Sequence, residues 1–435
     1  MSKRQLPIVT VRLEKIVGGG QCLAVLEDGR KLFVWGGLPG ETVDVQLTKK
    51  KGSYAEGIVV SVIENSPDRI EPRDPSSYLS TSPWQIMDFP TEQAAKAALI
   101  DEAFTLHHLA LPGKSEVFSD NRQYEYRNKM EFSWWWDTET DQLDLAFYRR
   151  GTHSKVPVGG SSLAAPAINH AALRLRNILR KRGANGFQLK TALVRSNAAQ
   201  DVALQLYVKD PSFPLFSDQE LAQLSVGAFE LIYSDPRSPA SVITERLQQH
   251  GDSTLTDTVL GISFRYATEG FFQINLPVYE QALRDMQQWI EPDKPTLDLY
   301  SGVGSIGLTI GNEKLTMVEL NPSAVREMEQ NITRLGRQGA TAVLAASEKS
   351  LDYITTASGL IVDPPRAGLD KLVVDRILEV KPRRIIYLSC SPVTQARDVG
   401  LLIDNYDIVA HRGYNFFPRT PHIEHLVVLD LKTQD

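Results

Sequence analysis

"TLDLYSGVGSIGLTIG", Thr296 to Gly311, reads as a short apolar strand, a glycine turn and the start of a helix. Gly302, Gly304 and Gly307 match G-x-G-x-x-G. A tight strand-to-helix turn asks for such glycines whatever it holds, so the match alone selects no ligand. The acidic residues around it do more. Asp298 stands just before the loop, where a dinucleotide would bring its pyrophosphate. A carboxylate there repels phosphates and suits a cationic group, such as the ammonium of a methionine moiety. Glu319 ends the next strand, where a carboxylate can accept hydrogen bonds from both hydroxyls of a ribose. The pair favours S-adenosylmethionine over a nicotinamide dinucleotide.

From about Pro277 onward, strands alternate with helices through "LTMVEL", "ATAVLAA", "SGLIVDPPRAGLD", "RRIIYLSCSP", "YDIVAHRGYNFFP" and "EHLVVLDLK". That rhythm predicts an open parallel sheet with crossover helices, a Rossmann-like α/β domain over 271–435. Upstream, 67–270 reads as an α+β domain. It has a helix at Thr91 to His108, strands joined by the polar turn Asp137 to Gln142, a helix at Pro166 to Arg182 and further strands. Residues 1–66 hold five or so short strands, with Asp28-Gly29 as a hairpin turn, and predict a small OB-like barrel. The Pro- and charge-rich stretch Glu64 to Ser77 reads as a linker.

Bulk properties bound the function. A chain of 435 residues holds roughly three domains at about 150 residues each. No apolar run reaches a membrane span, and "MSKRQLPIVT" lacks the apolar core of a secretory signal. Two cysteines, Cys22 and Cys390, make neither a disulfide framework nor a cysteine-based metal site, and fit a reducing cytoplasm. The net charge of −6 argues weakly against nucleic acid, but between Ala165 and Gln200 there are seven Arg or Lys and no acid: Arg174, Arg176, Arg180, Lys181, Arg182, Lys190 and Arg195. That stretch reads either as a solvated face or as a grip on a phosphate backbone, in about equal measure.

Two later strands end in reactive residues. "LIVDPPRAG" puts Asp363 at a strand end, before two prolines that stiffen the turn. "IIYLSCSPV" puts Cys390 at the carboxyl end of the following strand, on the face where α/β sheets bind ligands. A lone cysteine is ordinarily a small buried apolar residue, and Cys22 is read so. Cys390 is flanked by serines, and a helix starting near Thr394 would lower its pKa. A thiolate adding to carbon 6 of a uracil makes carbon 5 nucleophilic toward a methyl sulfonium. A base must then remove the carbon 5 proton. Glu424 is the candidate, with His422 and His425 as rivals, His425 being the more structural.

These motifs, with "YRNKMEFS" (Tyr126 to Ser133), "LAFYRRGTH", "FFQIN" (Phe271 to Asn275) and "FFPRTPHIEHLVVL", resemble the uracil-C5 RNA methyltransferases over nearly the whole chain. The resemblance implies an N-terminal TRAM barrel, a class I methyltransferase domain, Cys390 as nucleophile and Glu424 as general base. It implies Gln273, Tyr300, Ser305, Glu319 and Asp363 around S-adenosylmethionine, with Asp363 also near the target base, and Arg127, Asn128 and Lys129 facing RNA. Many members carry four cysteines for an iron–sulfur cluster. Here "SSYLSTSPWQ" (Ser76 to Gln85) and "GGSSLAAPAIN" have serines instead, so no cluster is expected. The adenine contact after "ATAVL" is unassigned, Glu348 being a candidate.

The expected partner is structured RNA, ribosomal RNA favoured by family analogy and transfer RNA possible, met by a cytoplasmic monomer without membrane attachment. Extracting one base calls for a grip on the backbone, here the barrel with Arg174, Arg180 and Lys181, and for aromatics such as Tyr54, Phe147 and Tyr148. At least one of Trp134, Trp135 and Trp136 is expected in the core. Three alternatives stay open: an exocyclic-amine methyltransferase suggested by "DPPR", a cytosine-C5 enzyme, and an RNA-binding protein with an idle fold.

Overall fold

The strand Thr296–Leu299 is buried along its whole length, as a strand covered on both faces must be. In the computed structural model, which describes residues 6–433, it lies inside an eight-stranded sheet. The order is Ala340–Leu344, Leu315–Glu319, Thr296–Leu299, Gly359–Val362, Arg384–Ser389, Glu424–Leu431, Tyr406–Tyr414 and Val117–Phe118. The first five run parallel. Glu424–Leu431 is antiparallel to both of its neighbours. Alternation along the strands feeds two cores. Leu360 and Val362 face one, with the helices Phe89–Leu106, Lys371–Val380 and Pro392–Leu402; Ile361 faces the other, with Leu276–Gln287 and Pro322–Leu335. The chain order reverses around Thr296–Leu299, and the carboxyl ends there form the switch point at which such sheets bind ligands.

The domain boundaries differ from those expected. Residues 67–270 are not one body. Trp84, Ile86, Met87, Leu99, Ile100, Ala103 and Phe104 share a core with Leu297, Leu299 and Val427, and Val117–Phe118 adds an edge strand beside Tyr406–Tyr414. The hairpin Thr254–Val259 and Ile262–Ala267 packs in the core on the other face of that sheet. The reason is physical: the apolar side of Phe89–Leu106 needs a partner, and the sheet supplies it. The central domain therefore reduces to a seven-stranded sheet spanning Lys129–Asp137 to Glu245–His250, with helices Pro166–Lys181 and Asp218–Leu224 on it. Phe89–Leu106 starts two residues earlier than its periodicity suggests, because Asp88 accepts a hydrogen bond from Thr91 N (2.8 Å) and Pro90 follows the cap.

Residues 8–64 form six strands, one more than read, curled around Val11, Leu13, Ala24, Val34, Val43 and Val45. Gly29, at φ +82°, makes the expected hairpin turn. Cys22 is buried in this core, its Sγ 3.1 Å from Gly37 O, and burial pushes its thiol up to about 12. The leader reading rested partly on residues 1–5, which lie outside the described residues, as do the expected domain's first positions. No described helix is long and apolar enough to cross a membrane. The two serine stretches meet in a polar knot: Gln85 Nε2 donates to Ser82 Oγ (2.7 Å), Asp74 Oδ2 (3.0 Å) and Ser162 Oγ (3.3 Å), and Ser162 Oγ donates to Asp74 Oδ2 (2.7 Å).

Candidate active site

Three strand ends and one loop build the site. At the first, Tyr300, Gly302 and Gly304 all take left-handed backbone (φ +65°, +57° and +85°). A Cβ on Gly304 would come within 3.0–3.1 Å of Leu308, Met317 and Met328, so this glycine lets the loop close on the core. Glu319 ties the loop to the next strand: Oε2 accepts from Gly302 N (3.0 Å) and Oε1 from Asn321 N (2.7 Å). Asp298 is wholly buried and does not line the cleft. Its Oδ2 accepts from Gly307 N (3.0 Å) and braces the loop from beneath, while Oδ1 has no hydrogen-bond partner. Burial, with Asp363 and Glu319 near it, pushes this carboxyl up to about 8. The ammonium-binding role expected of Asp298 thus gives way to a bracing one. Ser305 points its hydroxyl at Tyr279 OH (2.8 Å) instead of into the cleft.

The second and third ends carry the reactive groups. Ser389 pairs with His425 in the antiparallel ladder, and the same register continued by one residue sets Cys390 opposite Glu424. Asp363 follows the adjacent parallel strand. The three line one cleft of ≈ 1510 Å³ with Gln273, Tyr300, Gly302, Glu319, Arg366, Phe417 and His422. The flanking serines have separate tasks. Ser389 Oγ is buried and accepts from Ser391 N (3.1 Å), and Ser391 Oγ caps the helix Pro392–Leu402 through Thr394 N (3.4 Å).

Electrostatics overturn one expectation. The helix does not lower the Cys390 thiol; burial, reinforced by the carboxylates of Glu424 and Asp363, pushes it up to about 12, with the Arg366 guanidinium opposing. Burial raises Asp363 to about 7. Burial and then Asp363 raise Glu424 well above the ordinary carboxyl range, again against Arg366. Like charges crowded together and part-buried cannot all ionise, so the resting site holds protons. His422 accepts from Arg366 (3.1 Å to Nδ1), and burial plus the surrounding cations drive it down to about 4, leaving it neutral. His425 is buried between Gln395 and His411 and is structural, as expected.

The segment that follows Asp363-Pro364-Pro365 is pinned against the helix Pro392–Leu402. Asp398 Oδ2 accepts from Leu369 N and Tyr387 OH (both 2.8 Å), and Thr394 donates to Arg366 O (3.1 Å). Gly368, at φ +82°, lies where a Cβ would sit 2.5 Å from Asp398 Oδ2. These contacts hold Arg366 over the reactive trio.

The RNA-facing candidates divide. Arg127 lines the cleft, its Nε buried and unpartnered. Asn128 and Lys129 are used internally: Asn128 Nδ2 donates to Gln273 O (3.0 Å), and Lys129 Nζ to Glu269 O (2.7 Å) and Gly270 O (3.1 Å). The basic stretch is mostly consumed too. Arg174 binds Leu224 O and Ser225 O, Arg176 and Arg180 bind Asp144, Arg182 pairs with Glu220, and Lys190 caps Ser234 to Ser238. Arg195 is fully buried, donating to Gly270 O (2.6 Å) and Phe272 O (3.2 Å). Carbonyl groups, invisible in a charge count, replace the missing acids. Lys181 is exposed. Phe147 stacks on Phe132 in the core, Tyr54 packs edge-on against Phe33, Trp134 is buried as expected, and Tyr148 is exposed. Phe271, 70% exposed at the cleft wall, was not singled out although its motif was in view; an apolar ring beside Gly270 and close to Gln273, in the irregular segment between a strand and a helix, is the signal that marks it. Glu348 does line the cleft.

The family model described as tRNA (Uracil-5-)-methyltransferase matches residues 91–432, and the TRAM domain model matches residues 8–60. An uncharacterized RNA methyltransferase of Nitratidesulfovibrio vulgaris is 27% identical over 98% of this chain and 96% of its own. One from Thermotoga maritima is 26% identical over 96% of this chain and 98% of its own. The crystal structure of Pyrococcus abyssi tRNA (uracil-54, C5)-methyltransferase with S-adenosyl-L-homocysteine superposes with a TM-score of 0.78 at 20% identity, covering 97% of this chain and all of that one, which establishes the shared fold. With a family model spanning most of its length and the reactive residues gathered at one sheet edge, this chain belongs to the tRNA (uracil-5-)-methyltransferase family.

Proposed function

We propose that the protein methylates carbon 5 of a uridine in structured RNA, through a transient bond between Cys390 Sγ and uracil carbon 6. The observation that carries this is the meeting of Cys390 and Glu424 across neighbouring strands in the cleft that also holds Glu319 and the glycine loop. The cleft's donors fit S-adenosylmethionine. Glu319 offers carboxylate oxygens, Tyr300 and Gly302 an open loop, and Gln273 a polar edge, while Asp298 braces that loop from beneath through Gly307 N. S-adenosylmethionine, when bound, supplies the methyl group.

The chain's own groups do the rest. Glu424 must be ionised to act as the base, and the Cys390 thiol likewise gives its proton to water, the Arg366 cation stabilising the thiolate. Its sulfur lone pair then forms the bond to carbon 6, and the ring's π electrons move onto oxygen 4. Carbon 5, now nucleophilic, gains the methyl group. Glu424 removes the carbon 5 proton; those electrons restore the ring double bond and expel the thiolate. A raised Glu424 pKa makes it a stronger base for that proton.

Incubation with RNA carrying 5-fluorouracil tests the reading, because fluorine blocks the final proton removal. Wild type forms a covalent adduct through Cys390 and Cys390→Ala forms none. No adduct in wild type overturns the proposal; trapping by 5-azacytosine RNA instead reassigns the base. For the RNA class, a TRAM barrel is no guide, since the aligned tRNA (uracil-54) enzyme matches 97% of this chain. Ribosomal RNA stays the favoured target by family analogy alone. Mass mapping of ribosomal and transfer RNA from cells lacking the gene checks it: an unmethylated position in transfer RNA only refutes that preference.

A further inference from the structure

Residues 415–423 carry no regular structure, yet they and the strand end that follows bring Phe417, His422 and Glu424 into the cleft. Their path is held from the helix Phe89–Leu106, far back in the chain. Glu92 Oε1 accepts from Asn415 Nδ2 (2.9 Å), and both its oxygens accept from Arg419 N (3.1 Å each). Lys96 Nζ donates to Asn415 Oδ1 (2.5 Å) and Phe417 O (3.1 Å), and pairs with Glu92 at 3.3 Å. Arg419, in left-handed backbone at φ +65°, donates to Met87 O (2.5 Å) and to Gln123 Oε1. Tyr126 OH donates to Pro418 O (2.9 Å).

Glu92 and Lys96 are 0% exposed and Arg419 is 2% exposed. Three ionised side chains in a dry interior are rare, and their desolvation is costly. Apolar residues of the same size would fill the space at less cost. None of the three lines the cleft, so none meets RNA or cofactor. What they share is the loop: Lys96 and Glu92 bind its first residue and its backbone at Phe417 and Arg419. A left-handed Arg419, costing about 1–2 kcal/mol by itself, is kept there by this network.

We propose that Lys96, with Glu92, is a positioning residue for Glu424: it fixes the loop so that the carboxylate reaches the carbon 5 proton. This rests on the reading of Glu424 as the general base. Lys96 makes and breaks no bond in the reaction. Its loss therefore slows the last step, proton removal and thiolate release, and spares the earlier ones. A merely structural residue would slow every step alike.

The test uses the full-length protein and RNA labelled with tritium at uridine carbon 5. Tritium release reports the Glu424 step, and gel-stable protein–RNA adduct on unmodified RNA reports its failure. A positioned general base contributes about 10²–10⁴-fold, so a displaced one loses about tenfold or more. Lys96→Met is expected to cut tritium release by about that factor and to accumulate adduct. Its affinities for S-adenosylmethionine and RNA, and its rate of adduct formation on 5-fluorouracil RNA, stay within about twofold. Tyr126→Phe removes one hydrogen bond without changing shape and shows the same pattern more weakly; it decides the matter if Lys96→Met does not fold. Wild-type tritium release in both, or equal slowing of release and of 5-fluorouracil adduct formation, overturns the proposal. Glu424→Gln separates the two readings. If it accumulates adduct and the loop variants do not, this inference falls; if it accumulates none, the base assignment falls.

Discussion

The raised Cys390 pKa makes a measurable claim about the enzyme without RNA. An ordinary cysteine titrates near 9.0, and this thiol is pushed up to about 12, first by burial and then by Glu424 and Asp363. Three pH units correspond to an about thousandfold smaller thiolate fraction at any pH well below both values. Cys390 is half-buried, and water at the open face screens part of the effect, which makes that factor an upper figure. Alkylation by iodoacetamide needs the thiolate, so its rate at pH 8 should fall hundreds of times below that of a free thiol. The rate should keep rising with pH past 10 instead of levelling near 9. Cys22 is buried in the barrel and also raised, so labelling followed by mass spectrometry reports Cys390 in folded protein. Glu424→Gln removes the second-largest cause and leaves the first. It should move the midpoint down by part of the shift, not all of it. A wild-type midpoint near 8 to 9, or a Glu424→Gln midpoint no lower than wild type, would refute the electrostatic reasoning.

Other expectations are independent of that one. Glu319→Ala removes the acceptor for Gly302 N and Asn321 N along with the carboxylate proposed to meet the ribose. It should weaken S-adenosylmethionine by about 1–3 kcal/mol, or roughly five- to 150-fold in Kd by calorimetry, with RNA affinity unchanged. Asp363 is raised from 3.8 to about 7, so the folded state holds a proton that the unfolded state gives up. Its stabilising contribution is complete below pH 3.8 and is lost as pH rises toward 7. Asp363→Asn should therefore melt several degrees higher than wild type at pH 8 but not at pH 4, while losing activity; a melting difference independent of pH contradicts this. Protein purified without oxygen should contain no stoichiometric iron and no absorbance near 400 nm (about where iron–sulfur clusters absorb), because Ser82, Gln85 and Ser162 bond to each other and to Asp74.

What could be read from the sequence was local. A strand, a turn and a helix lie within sixteen residues around Gly302, and a reactive residue at a strand's carboxyl end already faces the binding edge of such a sheet. Asp363, Cys390 and Glu319 were legible for that reason, whereas Glu424 heads its antiparallel strand and was read from the need for a base. Asp298 was legible as a site residue but not as a brace, because its depth depends on how Gly307 closes above it. The basic stretch misled because Arg174 and Arg180 are satisfied by carbonyl oxygens of Leu224 and Leu143, which carry no sequence signal. The allegiance of Phe89–Leu106 was hidden for a similar reason: its partners Asn415 and Arg419 lie more than 300 residues downstream.

That separation orders events during synthesis. A ribosome adding about 5–20 residues per second takes roughly 16–64 s to move from Lys96 to Asn415, 319 residues later. Until then Glu92 and Lys96 have only each other, and the core around Ile100, Ala103 and Phe104 lacks the share that Val427 and Leu429 bring on the last strand. The barrel and the central sheet are finished long before. The nascent chain thus carries two completed bodies flanking a helix whose polar network is still missing. A stop codon before the last strand, Glu424–Leu431, removes Val427 and Leu429 from the core that this helix shares, so a truncated product is expected to aggregate.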